Sequence, residues 1–255
     1  MKILVIDVGG THIKFLATGQ DEHRRFDSGT EMSADQMVGG VQAATAGWEF
    51  DVVSIGFPGV VLRSRPISEP KNLGKGWVGF DYEAAFGRPV KIVNDAAMQA
   101  IGSYDGGRLL FLGLGTGLGS AMVVDGVVEP LEMAHLPYAK ATFEDYVGEQ
   151  GLERLGKKRW RRRVADVVAT LIRATEPTDV VIGGGNVKKL KEMPPQARAG
   201  SNENAFTGGF RMWTGEGSIQ VDSHPTHGSG KSPAQDPAPA SRKPAPDSAP
   251  LSECD

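Results

Sequence analysis

Apolar residues fall into short unbroken runs and into helically spaced sets, and the two alternate along the chain. Residues 3–8 (Ile-Leu-Val-Ile-Asp-Val) are apolar almost throughout, the pattern of a strand covered on both faces. Runs at 52–57, 90–93, 109–112, 120–124 and 179–182 read the same way, rich in Val, Ile or Leu. Residues 13–17 and 23–26 make two further strands that extend the first into a hairpin meander. Ser33 is a suitable N-cap for a helix. Gly39 and Gly40 weaken that helix, by roughly 1 kcal/mol each relative to Ala. Further helices are expected at 95–103, 143–147 and 156–172, the last with Trp160, Val164, Val167, Val168 and Leu171 at helical spacing. The last structured piece is 204–213. Strands alternating with helices point to an α/β protein.

The polar and glycine positions that interrupt this pattern sit at predicted strand ends, where open α/β sheets bind ligands. Asp7-Val-Gly-Gly-Thr-His-Ile-Lys14 joins the first two strands. Gly9 and Gly10 permit a tight turn whose backbone N–H groups can cradle an anion, and Thr11 adds a hydroxyl. A plain hairpin turn would look the same. Asp7 could hold Mg²⁺, through water, since that ion keeps much of its hydration shell. Gly113-Leu-Gly-Thr-Gly-Leu-Gly119 lies between two strands, so it is a β-turn-β loop and not the strand-to-helix turn of a dinucleotide fold. Strand, glycine-threonine turn, strand thus occurs twice, a faint internal repeat. Asn94-Asp95 ends one strand and opens a helix, where an acid is either a cap or, facing a phosphate cradle, a base. The irregular stretch 66–79 holds Asn72 and Trp77 and is either a ligand lip or a surface excursion.

Glu132 and His135 are three apart, which would set both on one face of a helix. Recognition of hydroxyls suits them better than a metal, because the further acids of a di-iron site are missing; a structural histidine is the other reading. Gly183-Gly-Gly-Asn186 opens another helix and allows close approach to a flat ligand. Six of the seven residues 157–163 are Lys or Arg, a solvated face or a polyanion contact.

Composition narrows the setting. The chain has 255 residues and a net charge of −3, so no global field points to nucleic acid or membrane. Its single cysteine, Cys254, rules out a disulfide framework or a cysteine zinc site within one chain. No apolar run approaches the roughly 18 residues of a membrane span, and the start is too short for a signal h-region. A cytoplasmic protein is expected. From about Gly215 the chain is rich in Ser, Pro, Ala and Gly, a composition that cannot bury a core and reads as disordered; His224 and His227 there are too few for a metal site.

Together these residues resemble the sugar kinases of the ROK family, within the actin-like ATPase superfamily, and especially its polyphosphate-glucokinase-type members. Asp7-x-Gly-Gly-Thr-x-x-Lys14 is similar to the family's first phosphate motif and Gly113-x-Gly-Thr-Gly-x-Gly119 to its second. Asn94-Asp95 resembles the sugar-binding asparagine and catalytic aspartate. Glu132-x-x-His135 resembles the motif that grips sugar hydroxyls, with Ala134 in place of its glycine, and Glu144 a further sugar contact. Gly183-Gly184-Gly185 resembles the nucleotide-side glycines. The family's cysteine-rich zinc segment, due between His135 and Glu144, has no cysteine here, so no zinc is expected.

The resemblance implies an actin-like (ribonuclease H-like) fold: two similar α/β lobes, 1–106 and 107–214, around a central cleft, followed by the tail 215–255. It implies transfer of a phosphoryl group from ATP or polyphosphate, with Mg²⁺, to a hexose hydroxyl, glucose to glucose 6-phosphate first. Asp95 would be the general base. Asn94, Glu132, His135, Glu144 and Asn72 would hold the sugar. Gly9, Gly10, Thr11, Lys14, Gly115, Thr116, Gly117 and Gly183–Gly185 would hold the donor. The partners implied are a small hexose, no nucleic acid and no membrane; dimers are common among enzymes of this kind. The alternatives are a ROK-like sugar-sensing protein that has lost catalysis, which would need no base, and an actin-like assembly ATPase, which would need no Glu132/His135 pair.

Overall fold

In the computed structural model the apolar runs become two five-stranded sheets with the same plan. The structure describes residues 1–201, 203–215 and 220; the expectation of a disordered tail and the residues His224, His227 and Cys254 fall outside them. In chain order the first half holds β1 (Ile3–Val8), β2 (His12–Ala17), β3 (Arg24–Asp27), α1 (Ala34–Ala44), β4 (Val52–Phe57), the small hairpin β5 (Val61–Leu62) and β6 (Arg65–Pro66), α2 (Tyr82–Phe86), β7 (Val90–Asn94) and α3 (Asp95–Ser103). The second half holds β8 (Arg108–Leu114), β9 (Leu118–Val124), β10 (Val127–Leu131), the hairpin β11 (Pro137–Tyr138) and β12 (Ala141–Thr142), α4 (Phe143–Val147), α5 (Glu149–Thr175), β13 (Asp179–Gly183), β14 (Ala197–Ala199) and α6 (Asn204–Thr214).

The first sheet runs β3-β2-β1-β4-β7 and the second β10-β9-β8-β13-β14. In each, the first three strands form an antiparallel meander and the last two add in parallel. The repeat faintly visible as two glycine turns is therefore a repeat of whole sheets.

Strand periodicity sorts the core into three layers. Leu4, Ile6 and Val8 of β1 face outward onto α1 and α2, in a cluster with Phe57 and Trp77. Ile3 and Val5 face inward and share one cluster with α3, α6 and Leu109 and Phe111 of β8. Leu110, Leu112 and Leu114 face the other way, onto α4 and α5 with Trp160. The two sheets thus enclose α3 and α6 between their inner faces. That explains why α3 is buried nearly all round and built of small residues, Ala96, Ala97 and Ala100 among them. Glycine lets α3 and α6 approach closely. A Cβ on Gly102 would run into the carbonyl of Asn204, and one on Gly208 into that of Met98. Arg211 of α6 caps the end of α3, its Nη1 donating to Ile101 O at 3.0 Å and Tyr104 O at 2.8 Å.

Three expectations need correction. His135 lies in a turn and Glu132 in the extended chain just before it, and neither is on a helix. The buried Ser120 hydroxyl donates to Leu131 O at 2.9 Å and accepts Met133 N–H at 3.2 Å, holding the chain extended past β10. Pro137 then bars a helix from continuing. The helix expected from Gly156 starts upstream at Glu149, with a non-helical break at Gly156 (φ 71°, ψ 157°). The residues after Gly185 make only a short 3₁₀ turn, Val187–Lys189.

Candidate active site

Asn94 and Asp95 sit where β7 gives way to α3. The capping role falls to Asn94: its Oδ1 accepts Ala96 N–H at 2.9 Å and Ala97 N–H at 3.3 Å, and its Nδ2 donates to Gly59 O at 3.0 Å. Asp95 occupies the first helical position, so its carboxylate is not needed as the cap and reaches the cleft, with Oδ1 accepting Ala96 N–H at 2.8 Å. Burial pushes the Asp95 carboxyl up to about 7, and the negative charges of Asp7 and, to a lesser degree, Glu132 act in the same direction. A carboxylate held near neutrality accepts a proton more readily than an ordinary aspartate.

Asp7 projects from the inner face of β1 in register with Lys14 of β2, whose ammonium lies 3.7 Å away. Burial raises the Asp7 pKa, and Lys14 opposes the rise. The glycine turn between them is tied by Gly9 N–H to His12 O at 3.0 Å and by the Ser28 hydroxyl to Gly9 O at 2.7 Å. The matching turn of the second sheet is tied by Gly115 N–H to Gly117 O at 3.1 Å. Glu149 N–H, at the start of α5, donates to Thr116 O at 3.1 Å, and Asn186 Nδ2 donates to Gly115 O at 2.9 Å. Gly117 passes so close to the Glu144 carboxylate that a side chain there would collide with it, and Leu118 N–H points at Glu144 Oε2 from 3.4 Å. Gly184 adopts φ 86° against the Leu114 carbonyl.

One cleft of about 540 Å³ collects most of these groups. Gly9, Gly10, Asn72, Asn94 and Asp95 line it from the first half, and Gly115, Thr116, Gly117, Glu132, His135, Glu144 and Gly184 from the second. Glu132 Oε1 and His135 Nε2 are 3.9 Å apart, both exposed to it. Asp7, Thr11, Lys14, Gly183 and Gly185 do not line its wall. A second cavity, about 610 Å³, opens at the far end of the first sheet beside Lys2, Trp48 and Arg88 and contains none of the candidate residues.

The loop that bears Asn72 is anchored, not a loose excursion. Trp77 is fully buried with its indole N–H donating to Met32 O at 3.0 Å, and Glu69 accepts Gly76 N–H at 3.2 Å and Trp77 N–H at 3.1 Å. Lys71 and Gln99 also line the cleft and were not anticipated. Gln99 was findable, being one helical turn beyond Asp95. Asn186, buried and holding the second glycine turn, was marked only by the glycines before it.

Among the described residues no three His, Cys, Asp or Glu side chains converge as a metal cluster. Mg²⁺ needs less: one or two carboxylates beside phosphate oxygens and water. Asp7 fits that demand, as a carboxylate whose charge burial penalises and Lys14 offsets.

The model of the ROK family matches residues 3–129, which span the first glycine turn, Asn94-Asp95 and the second glycine turn. The chain belongs to the ROK family. This ROK chain is 27% identical over 213 residues to the polyphosphate glucokinase of Mycobacterium tuberculosis, covering 74% of the chain and 80% of that relative. Its fold is similar to that of an inorganic polyphosphate/ATP-glucomannokinase from Arthrobacter sp. strain KM, with a TM-score of 0.71 and 22% identity over 82% of this chain and 96% of that one. It is also similar to a ROK family glucokinase from Streptomyces griseus in complex with glucose and AMPPNP, with a TM-score of 0.66 and 17% identity over 82% and 98%.

Proposed function

We propose that this ROK chain is a hexose kinase that moves a phosphoryl group from ATP or polyphosphate to a sugar hydroxyl, with the 6-OH of glucose the best acceptor. The observation that carries this reading is the shared cleft. It joins a carboxylate with a pKa near 7 to glycine turns from both sheets and to a Glu–His pair. The two halves, 1–106 and 107–214, act in this reading as the lobes of an actin-like ATPase fold. The names of the similar proteins, glucokinases and a glucomannokinase using polyphosphate or ATP, support the same class of reaction.

Phosphoryl transfer asks for positioning and for compensation of charge more than for covalent chemistry. Asn94, Glu132, His135, Glu144 and Asn72 hold the ring hydroxyls and leave one hydroxyl facing Asp95. Ionised Asp95 accepts its proton as the oxygen attacks the terminal phosphorus, and the bond from that phosphorus to its bridging oxygen breaks, so that ADP or a polyphosphate shorter by one unit leaves. The turns at Gly9–Thr11 and Gly115–Gly117, with Gly183–Gly185 behind the second, hold the donor by backbone N–H groups. Asp7 would hold Mg²⁺, which supplies positive charge to the donor phosphates; the Lys14 ammonium beside it opposes the rise in pKa that burial causes.

The test is a coupled assay crossing glucose, mannose and N-acetylated hexoses with ATP and polyphosphate, run on the parent and on Asp95→Asn. The variant should lose activity by ~10²–10⁴-fold, the usual worth of a general base, while binding glucose nearly as the parent does in calorimetry. Turnover of glucose by Asp95→Asn at the parent rate would remove Asp95 from the role.

A further inference from the structure

The segment between His135 and Glu144 connects two candidate hexose contacts, yet little of it is buried. It is the β11–β12 hairpin, which turns through Ala139 (φ 53°) and Lys140. Hairpins this short are not stable by themselves. Its two ends are tied by Phe143 N–H to Leu136 O at 3.1 Å and by Glu144 N–H to Ala134 O at 3.0 Å. Thr142 of β12 also caps α4, its N–H donating to Asp145 Oδ2 at 3.0 Å and its hydroxyl accepting Asp145 N–H at 3.3 Å, and Tyr138 is stacked against α4 and α5. The Tyr138 ring meets Tyr146 edge-on, with centroids 5.1 Å apart, and leans on Phe143 at 5.4 Å. The Arg163 guanidinium lies 5.7 Å over Tyr138 and 5.4 Å over Tyr146, and its Nη1 donates to the Tyr138 oxygen at 3.2 Å. The Tyr138 hydroxyl in turn donates to Asp166 Oδ2 at 2.5 Å. Arg154 covers Tyr146 at 5.1 Å and donates to Asp145 O at 2.6 Å.

None of these side chains lines the cleft, so none touches a ligand bound there. His135 and Glu132 are themselves exposed, and side-chain burial does not fix them. Their backbone is held on one side by Ser120 and on the other by the hairpin. We propose that Tyr138, clamped by Arg163 and Asp166, is a positioning residue that sets His135 and Glu144 for the hexose. This rests on reading those two residues as hexose contacts. It also gives part of the basic run on α5 a definite task. Arg163 is engaged in the clamp and Arg161 donates to Lys189 O at 2.8 Å, so these two are not spare charges for a polyanion.

Two readouts on Tyr138→Ala, Tyr138→Phe and Asp166→Asn test the clamp. The first is amide hydrogen exchange of the full chain without ligand. Tyr138→Ala should speed exchange across residues 132–144 by about tenfold or more and leave β1, β8 and α3 unchanged. The second is steady-state kinetics. Tyr138→Ala should raise the hexose KM about tenfold, with the donor KM within about twofold. Tyr138→Phe keeps the stack and loses only the hydroxyl, so its effect should be smaller and match that of Asp166→Asn. Unchanged exchange at 132–144 overturns the clamp whatever the protein's activity. Faster exchange with an unmoved hexose KM, or with hexose and donor KM rising together, overturns its role in positioning. If the parent turns over no hexose, the kinase reading fails, while the exchange result still decides whether the hairpin is held.

Discussion

At the scale of single residues the proposed reaction turns on Asp95. Asn94 supplies the cap that the start of a helix needs, which frees the neighbouring carboxylate for other chemistry. Burial and two nearby acids hold that carboxylate near pH 7, against an ordinary 3.8. In its proposed role as base Asp95 must be ionised, so kcat/KM should rise with pH through about 7 and level off above it. Glu132→Gln removes one of the charges that raise the pKa, and should move this limb to lower pH. A pH profile of kcat/KM from 5.5 to 9 checks both. Stability must move the opposite way. The folded-state pKa lies above the unfolded one, so the stability associated with protonated Asp95 is complete below about pH 4 and is lost as pH rises through 7. Asp95→Asn does not titrate, and should exceed the parent in stability by about 2–4 kcal/mol at pH 8, with no gain at pH 4. Urea melts at the two pH values measure the difference. An equal gap at both would mean that Asp95 is not strained by its charge.

At the scale of elements, glycine makes the sharpest test because the same substitution should have opposite signs at two helical sites. Gly39 of α1 is exposed, and a Cβ there meets nothing within 4 Å. Gly39→Ala should therefore stabilise by about 0.5–1 kcal/mol through helix propensity alone. Gly208 of α6 lies against the backbone of α3, which cannot step aside as a side chain could. Gly208→Ala should destabilise by about 2 kcal/mol or more, overriding the same propensity gain. Thermal melts of the two variants decide. The pair also marks what could be read from the chain. Strands 3–8 and 52–57 are legible to the residue because unbroken apolar runs are local signals, and helix 95–103 is too, although its cap is Asn94 and not the acid at 95. Gly208 was not, because periodicity says that a face is apolar and not which helix it meets. The three-residue spacing of Glu132 and His135 is shared by a helix and a single turn; Ser120, which settles the matter, lies on another strand. Lys71 lines the cleft only because Trp77 and Glu69 fold its loop inward, an arrangement that no motif in the sequence announces.

At the scale of the whole molecule, two sheets of one plan share a single inner layer, and the cleft draws on both halves. In the proposed reading a hexose held by Asn94 and Asp95 from one half and by Glu132, His135 and Glu144 from the other recognises only the native arrangement. Its binding is then linked to global unfolding. At a hundred times Kd the linkage is worth about 2.7 kcal/mol, which for a protein of this size is a rise in Tm of about 5–10 °C. Glucose should produce that rise in the parent and in Asp95→Asn alike, since the base is needed for transfer more than for holding the sugar. It should produce little in Glu144→Gln or His135→Ala. Removing Mg²⁺ with EDTA separates the two ends of the cleft. In the proposed mechanism turnover should stop, because the donor phosphates would lose the charge that Mg²⁺ supplies, while the glucose shift persists. If the shift vanished in Asp95→Asn yet survived in Glu144→Gln, the sugar would be bound by the first half alone, and the second half's loop would belong to the donor.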